Sequence, residues 1–136
     1  MRDVRKVVTV VFCDLAGYTS KGDRLDPEAL RAIQSRYFED ARTALERHGG
    51  TVEKFIGDAV MAIFGIPTLH EDDALRALRA ATELRDAVAG LGFQARIGVN
   101  TGEVVAGGGD ALVTGDAVNV AARLEQAAEP GEILLG

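Results

Sequence analysis

The sequence predicts an α+β domain, a sandwich in which helices pack on one face of an antiparallel-rich sheet. Three features lead there. Val7 to Phe12 is β-branched and apolar without alternation, the pattern of a strand buried on both faces at the centre of a sheet. Two later stretches repeat apolar residues at intervals of three and four, the spacing of amphipathic helices. Between them, Val52 to Phe64 divides into two short apolar runs around Gly57-Asp58, which is turn chemistry for a β-hairpin.

Taken in order, the elements carry their own start and stop signals. Asp26-Pro27-Glu28 opens the first helix with a capping side chain, a proline at the first helical position and an acid in the first turn. Leu30, Ile33, Tyr37, Ala41, Ala44 and Leu45 form its apolar stripe, and Gly49-Gly50 stops it. The second helix runs from about Glu71 to Leu91, with Ala74, Leu78, Ala81, Leu84 and Val88 on one side. Ala95–Val99 and Glu103–Ala106 are expected to form a second hairpin around Thr101-Gly102. A Gly-rich loop then leads to Leu112-Val113, a third helix is expected over Asp116 to Ala127, and Glu132 to Leu135 reads as a further strand. No repeat, linker or low-complexity segment interrupts residues 1–136, so a single domain is expected. Its last strand ends at the last residue with nothing after it to cover or cap it, which suggests a chain cut short or a minimal version of a longer domain.

Composition narrows the class of function. The 136 residues are 47% hydrophobic and 26% charged, too apolar for a disordered chain. One cysteine, Cys13, allows no internal disulfide. Fifteen basic against twenty-one acidic residues give a net charge of −6, and there is no Trp, which argues against nucleic acid as a partner. No apolar run reaches the eighteen or so residues of a membrane span. The basic start, MRDVRK, leads into only a short apolar strand, so no secretory leader is read. A soluble, cytoplasmic domain without membrane insertion is expected.

Asp14 follows the buried strand directly, and a carboxylate there is costly unless a cation or hydrogen-bond donors meet it. It could equally cap the following turn, Leu15 to Ser20, whose backbone N–H groups could cradle a phosphate. Cys13 reads as core. Asp58 taken alone is ordinary turn chemistry. Together, two carboxylates meeting at one sheet end repel by several kcal/mol at an effective dielectric near ~20, and so favour a divalent cation between them. Oxygen ligands of this kind suit Mg²⁺ or Mn²⁺ shared with phosphates. Lys54, on the strand before Asp58, is either a solvated edge charge or a ligand group. Asn119 and Arg123 are four apart on one helix face, where Arg could hold a phosphate through its fork or pair with Glu125 or Asp116. Gly108-Gly109-Asp110 resembles the opening of a diguanylate cyclase signature, but Ala111 and Leu112 replace its acidic and aromatic continuation. His48 and His70 lack ligand-like spacing and read as helix-end polar residues.

Four stretches together resemble the catalytic domain of class III adenylate and guanylate cyclases. They are Val11-Phe12-Cys13-Asp14-Leu15-Ala16-Gly17-Tyr18-Thr19, Gly49 to Phe64 with Lys54-Phe55-Ile56-Gly57-Asp58 at its centre, Arg96-Ile97-Gly98-Val99-Asn100-Thr101-Gly102, and Gly115-Asp116-Ala117-Val118-Asn119-Val120-Ala121-Ala122-Arg123-Leu124-Glu125. They stand in the family's order over nearly the whole chain. The resemblance implies a ferredoxin-like α+β fold acting as a homodimer, with active sites at the subunit interface and ATP converted to cyclic AMP and pyrophosphate. It implies that Asp14 and Asp58 bind two divalent ions, Mg²⁺ or Mn²⁺, while Gly17 and Thr19, in the segment read above as able to cradle a phosphate, are expected to bind substrate. The partner copy would supply Lys54 to the purine, Asn119 to the ribose and Arg123 to the phosphate charge.

Two departures stand beside it. In adenylate cyclases the purine lysine works with a second polar residue three positions before the glycine matching Gly115, and here that position is Leu112. Leucine cannot accept from the adenine amino group, which weakens discrimination against GTP. The family's domain also normally continues past Leu135 into strands carrying a triphosphate-binding lysine. A catalytically weak, cyclase-like regulatory or dimerisation module that binds nucleotide is the alternative reading.

Overall fold

The computed structural model describes residues 4–16, 26–57, 59–106 and 113–136. The run of β-branched residues forms β1 (Val4–Ala16), which lies in the middle of the sheet. It pairs antiparallel with β3 (Ala59–Phe64) on one edge and with β4 (Gln94–Ala106) on the other. β2 (Thr51–Ile56) extends the sheet beyond β3, with a register shift between Val52 and Lys54. On the far edge of β4 lie β5 (Val113–Thr114), antiparallel, and β6 (Ile133–Leu135), parallel. The strand order is β2-β3-β1-β4-β5, with β6 also on β4.

Strand alternation divides the interior into two layers. Val11, Cys13 and Leu15 of β1, with Val60, Ala62, Phe64, Ala95, Ile97 and Val99, face one way. They pack against α1 (Pro27–Arg47) and α2 (Asp73–Gly90) through Tyr37, Ala41, Leu45, Ala77, Ala81, Leu84 and Val88. Val8 and Val10, with Met61, Ile63 and Val104, face the other way against Ala117 and Ala121 of α3 (Asp116–Ala127). Burial on both faces is what the non-alternating apolar run of β1 requires. α1 begins as its sequence signal predicts: the Asp26 carboxylate accepts from the Ala29 N–H at 2.8 Å, and Pro27 follows.

The α+β class and the first hairpin are as expected, and two details differ. Helices were expected on one face, but α3 takes the opposite face, because Val8, Val10 and Met61 are apolar there and need cover. The expected hairpin around Thr101-Gly102 is instead one continuous strand, paired to β1 from Val4↔Ala106 to Ala16↔Gln94. Thr101 exchanges a hydroxyl hydrogen bond with Thr9 at 2.8 Å, and Gly102 leaves room for α3, since a Cβ there would lie 3.0 Å from Ala117 Cβ. Its glycine answers a packing demand, not a turn.

Gly98 has the same role further along β4. A Cβ at that position would strike the Ala121 carbonyl oxygen and the Glu125 nitrogen, both backbone atoms of α3. Gly98→Ala is therefore expected to push α3 off the sheet and destabilise the fold by about 1–3 kcal/mol, read from denaturant unfolding. Gly90→Ala, at a position with open space around it, is the control.

Candidate active site

Asp14 sits near the carboxyl end of β1, on the α3 side of the sheet, where Val8, Val10 and Phe12 precede it on the same face. In the antiparallel ladder it lies directly opposite Arg96 of β4. The guanidinium grips the carboxylate with both prongs of its fork: Nε donates to Oδ1 at 2.9 Å and the second nitrogen to Oδ2 at 2.6 Å. The Asp14 side chain is 14% exposed and that of Arg96 32%, so the pair is largely withdrawn from water. Arg96 meets the cost of placing a carboxylate at the end of a buried strand, by the strongest geometry available to such a pair. Arg96 was not singled out as a site residue in the sequence; only the β1–β4 register brings it opposite Asp14.

The β1–β3 register sets Cys13 opposite Val60, so Ala59, the hairpin end of β3, comes to the same end of the sheet as Asp14. Gly57 occupies the turn with φ +59°, left-handed backbone that glycine adopts freely. Cys13 is fully buried core, as expected, and the Tyr37 hydroxyl donates to its carbonyl oxygen at 3.3 Å. Asp14 presents hard oxygen donors, a set that fits Mg²⁺ or Mn²⁺ and not a soft metal. Among the described residues, no group of three or more His, Cys, Asp or Glu is clustered as a metal site.

Asn119 and Arg123 lie one turn apart on α3 and are both exposed, pointing away from the side on which Ala117, Ala121 and Glu125 are buried. Neither forms a hydrogen bond or ion pair with Asp14, and Arg123 makes none with Asp116 or Glu125. Lys54 is placed in β2 opposite Met61, while its side chain lies outside the described residues. Gly17, Thr19, Asp58, Leu112 and Gly108-Gly109-Asp110 lie outside them altogether. His48 and His70 stand at helix ends as expected, 3.8 Å from Glu83 and 3.4 Å from Asp73 respectively. The structure thus brings Asp14 to the hairpin end of the sheet, and it leaves Asn119 and Arg123 facing outward.

Removing the guanidinium leaves a largely buried carboxylate without these two donors. Arg96→Ala is expected to lower stability by about 1–3 kcal/mol in thermal or denaturant unfolding. Arg96→Lys is expected to recover only part of this, because an ammonium lacks the planar fork.

Comparison with known proteins agrees with this architecture. The family pattern described as the adenylate and guanylate cyclase catalytic domain matches residues 3–136. The chain is 34% identical over 137 residues to adenylate cyclase 1 of Rhizobium meliloti (strain 1021), covering 89% of this chain and 21% of the relative. It is 33% identical over 133 residues to an adenylate cyclase of Anabaena cylindrica, covering 87% of this chain and 26% of the relative. The chain therefore spans about a fifth to a quarter of these relatives. Among solved structures, the adenylyl cyclase CyaB from P. aeruginosa superposes with a TM-score of 0.93 at 33% identity, covering 99% of this chain and 79% of that one. The guanylyl cyclase Cya2 superposes at 0.89 and 35% identity, covering 99% and 77%. With the family pattern spanning residue 3 to the last residue and the same fold found in solved cyclases, the chain belongs to the adenylate and guanylate cyclase catalytic-domain family.

Proposed function

We propose that residues 1–136 are a single cytoplasmic nucleotidyl cyclase domain. It converts ATP to 3′,5′-cyclic AMP and pyrophosphate as a homodimer with two shared sites, in signal transduction. The observation that carries this reading is the placement of Asp14. A largely buried carboxylate is held at the sheet end where β3 begins, and Asp58 stands in the sequence directly before the first residue of that strand. Among the described residues no helix is long and apolar enough to cross a membrane.

In the reaction the ribose 3′-oxygen attacks the α-phosphorus in line. The new O3′–P bond forms as the α–β bridging P–O bond breaks, pyrophosphate leaves with that electron pair, and the hydroxyl proton passes to solvent. Asp14 and Asp58 would hold two divalent ions, Mg²⁺ or Mn²⁺, which when bound acidify the hydroxyl and neutralise triphosphate charge. Gly17 and Thr19 follow β1 in the sequence, and their backbone and hydroxyl donors would cradle the triphosphate. Lys54 is a donor and meets an acceptor on the purine; an acidic residue in its place would meet guanine donors instead. Asn119 orients the ribose and Arg123 lies against the charge that grows on phosphate. That Asn119 and Arg123 are exposed and apart from Asp14 supports their acting on the site of a second copy. The adenylate cyclase relatives support ATP, as does Lys54.

Leu112 favours a second reading, a cyclase-like module that binds nucleotide and dimerises with little turnover, because leucine offers the adenine amino group no acceptor. A cyclic AMP assay with Mn²⁺–ATP across a protein dilution series separates the two. Specific activity should rise with concentration and fall at least about a hundredfold in Asp14→Asn. Silence at high concentration leaves a binding module or a fragment missing its last strands, and repeating the assay with a C-terminal extension separates these two. Lys54→Glu should move preference from ATP toward GTP, and an unchanged ratio removes Lys54 from the purine site.

A further inference from the structure

Two side chains on α1 hold the backbone just ahead of each proposed metal aspartate. Gln34 Nε2 donates to the Gly57 carbonyl oxygen at 3.2 Å, and Gly57 is bonded to Asp58. The Tyr37 hydroxyl donates to the Cys13 carbonyl oxygen at 3.3 Å, and Cys13 is bonded to Asp14. Residues three apart on a helix are neighbours on one face, with Cβ atoms about 5–6 Å apart. One turn of α1 therefore touches both chain points from which the carboxylates arise. We propose that Gln34 and Tyr37 are positioning residues that set the spacing of the Asp14 and Asp58 carboxylates for divalent-cation binding. The proposal rests on the reading of those aspartates as metal ligands.

The physical lever is the peptide plane. A carbonyl oxygen, the next residue's N–H and the next Cα share one rigid plane, so pinning the oxygen helps to fix that Cα and leaves the torsions beyond it to place the carboxylate. Tyr37 is a firm anchor: it is fully buried, its ring packs 5.4 Å from that of Phe38, and its hydroxyl also reaches the Cys13 sulfur at 3.6 Å. Gly57 gains an anchor from the Gln34 bond, because a Cβ built there would meet nothing within 4 Å and its φ is +59°. The cation makes the spacing matter. Mg²⁺ demands near-ideal octahedral geometry at about 2.0–2.1 Å, so a small drift of either carboxylate costs affinity. Partners that orient metal ligands typically change metal affinity by about 10–100-fold.

The test uses the full chain, with Mn²⁺ as probe and 3′-deoxy-ATP to prevent turnover, and free Mn²⁺ is followed by electron paramagnetic resonance. Gln34→Met keeps the side-chain length and removes the donor, while Tyr37→Phe keeps the buried ring and removes the hydroxyl. Each is expected to weaken Mn²⁺ binding by about tenfold. For Gln34→Met the unfolding midpoint should not move, and cyclic AMP formation should return when Mn²⁺ is raised. The double variant should lose less or more than the sum of the two, since both act on one spacing. Unchanged Mn²⁺ affinity in Gln34→Met, with binding abolished in Asp58→Asn, overturns the positioning role and leaves the metal reading standing. Strictly additive losses overturn the shared spacing. If Asp14→Asn and Asp58→Asn bind Mn²⁺ as the unaltered chain does, the metal reading fails and the proposal with it.

Discussion

The β1–β4 ladder is the constraint on which the site depends. β1 is paired on both edges and covered on both faces, with Val11 and Cys13 against α1 and α2, and Val8 and Val10 against α3. Because the side-chain period is two, a slip of one residue would send every one of these to the wrong face. It would also drive Asp14 into the apolar layer beside Tyr37 and lift Cys13 out of it. Burial of the valines thus sets the face and the depth of the carboxylate. Arg96, directly across the ladder, supplies the charge that makes that depth tolerable.

A second constraint is how closely α3 approaches β4. Gly98 and Gly102 remove the side chains that would hold the helix away, and Ala117 and Ala121 present small faces in return. With that side of α3 buried, Asn119 and Arg123 are turned outward by helical geometry. The chain therefore presents a carboxylate at one sheet end and an exposed amide and guanidinium on a helix face. α1 joins the other half of the arrangement, since its Gln34 and Tyr37 reach the backbone beside both aspartate positions.

Much of this was legible in the residues alone. The uniform apolar run of Val7 to Phe12 specified a central strand, Asp26-Pro27 specified where α1 begins, and Gly57-Asp58 specified a hairpin turn. Asp14, Lys54, Asp58, Asn119 and Arg123 stood out because their types and order match a family pattern that covers the chain. Local signals of this kind need only near neighbours in the sequence. The same locality misled at Thr101-Gly102, where a glycine beside a polar residue resembles a turn but serves the contact with α3.

The sequence by itself determined the element types, the family and the candidate residues, because propensity, periodicity and motif spacing are all short-range properties. Only the tertiary structure decided that α3 covers the opposite face, that β4 runs unbroken, and that Arg96 meets Asp14. Those outcomes depend on register and packing between residues as far apart as Asp14 and Arg96, 82 positions along the chain. No local pattern encodes such a pair, since it exists only once burial of both strand faces has chosen one alignment among many.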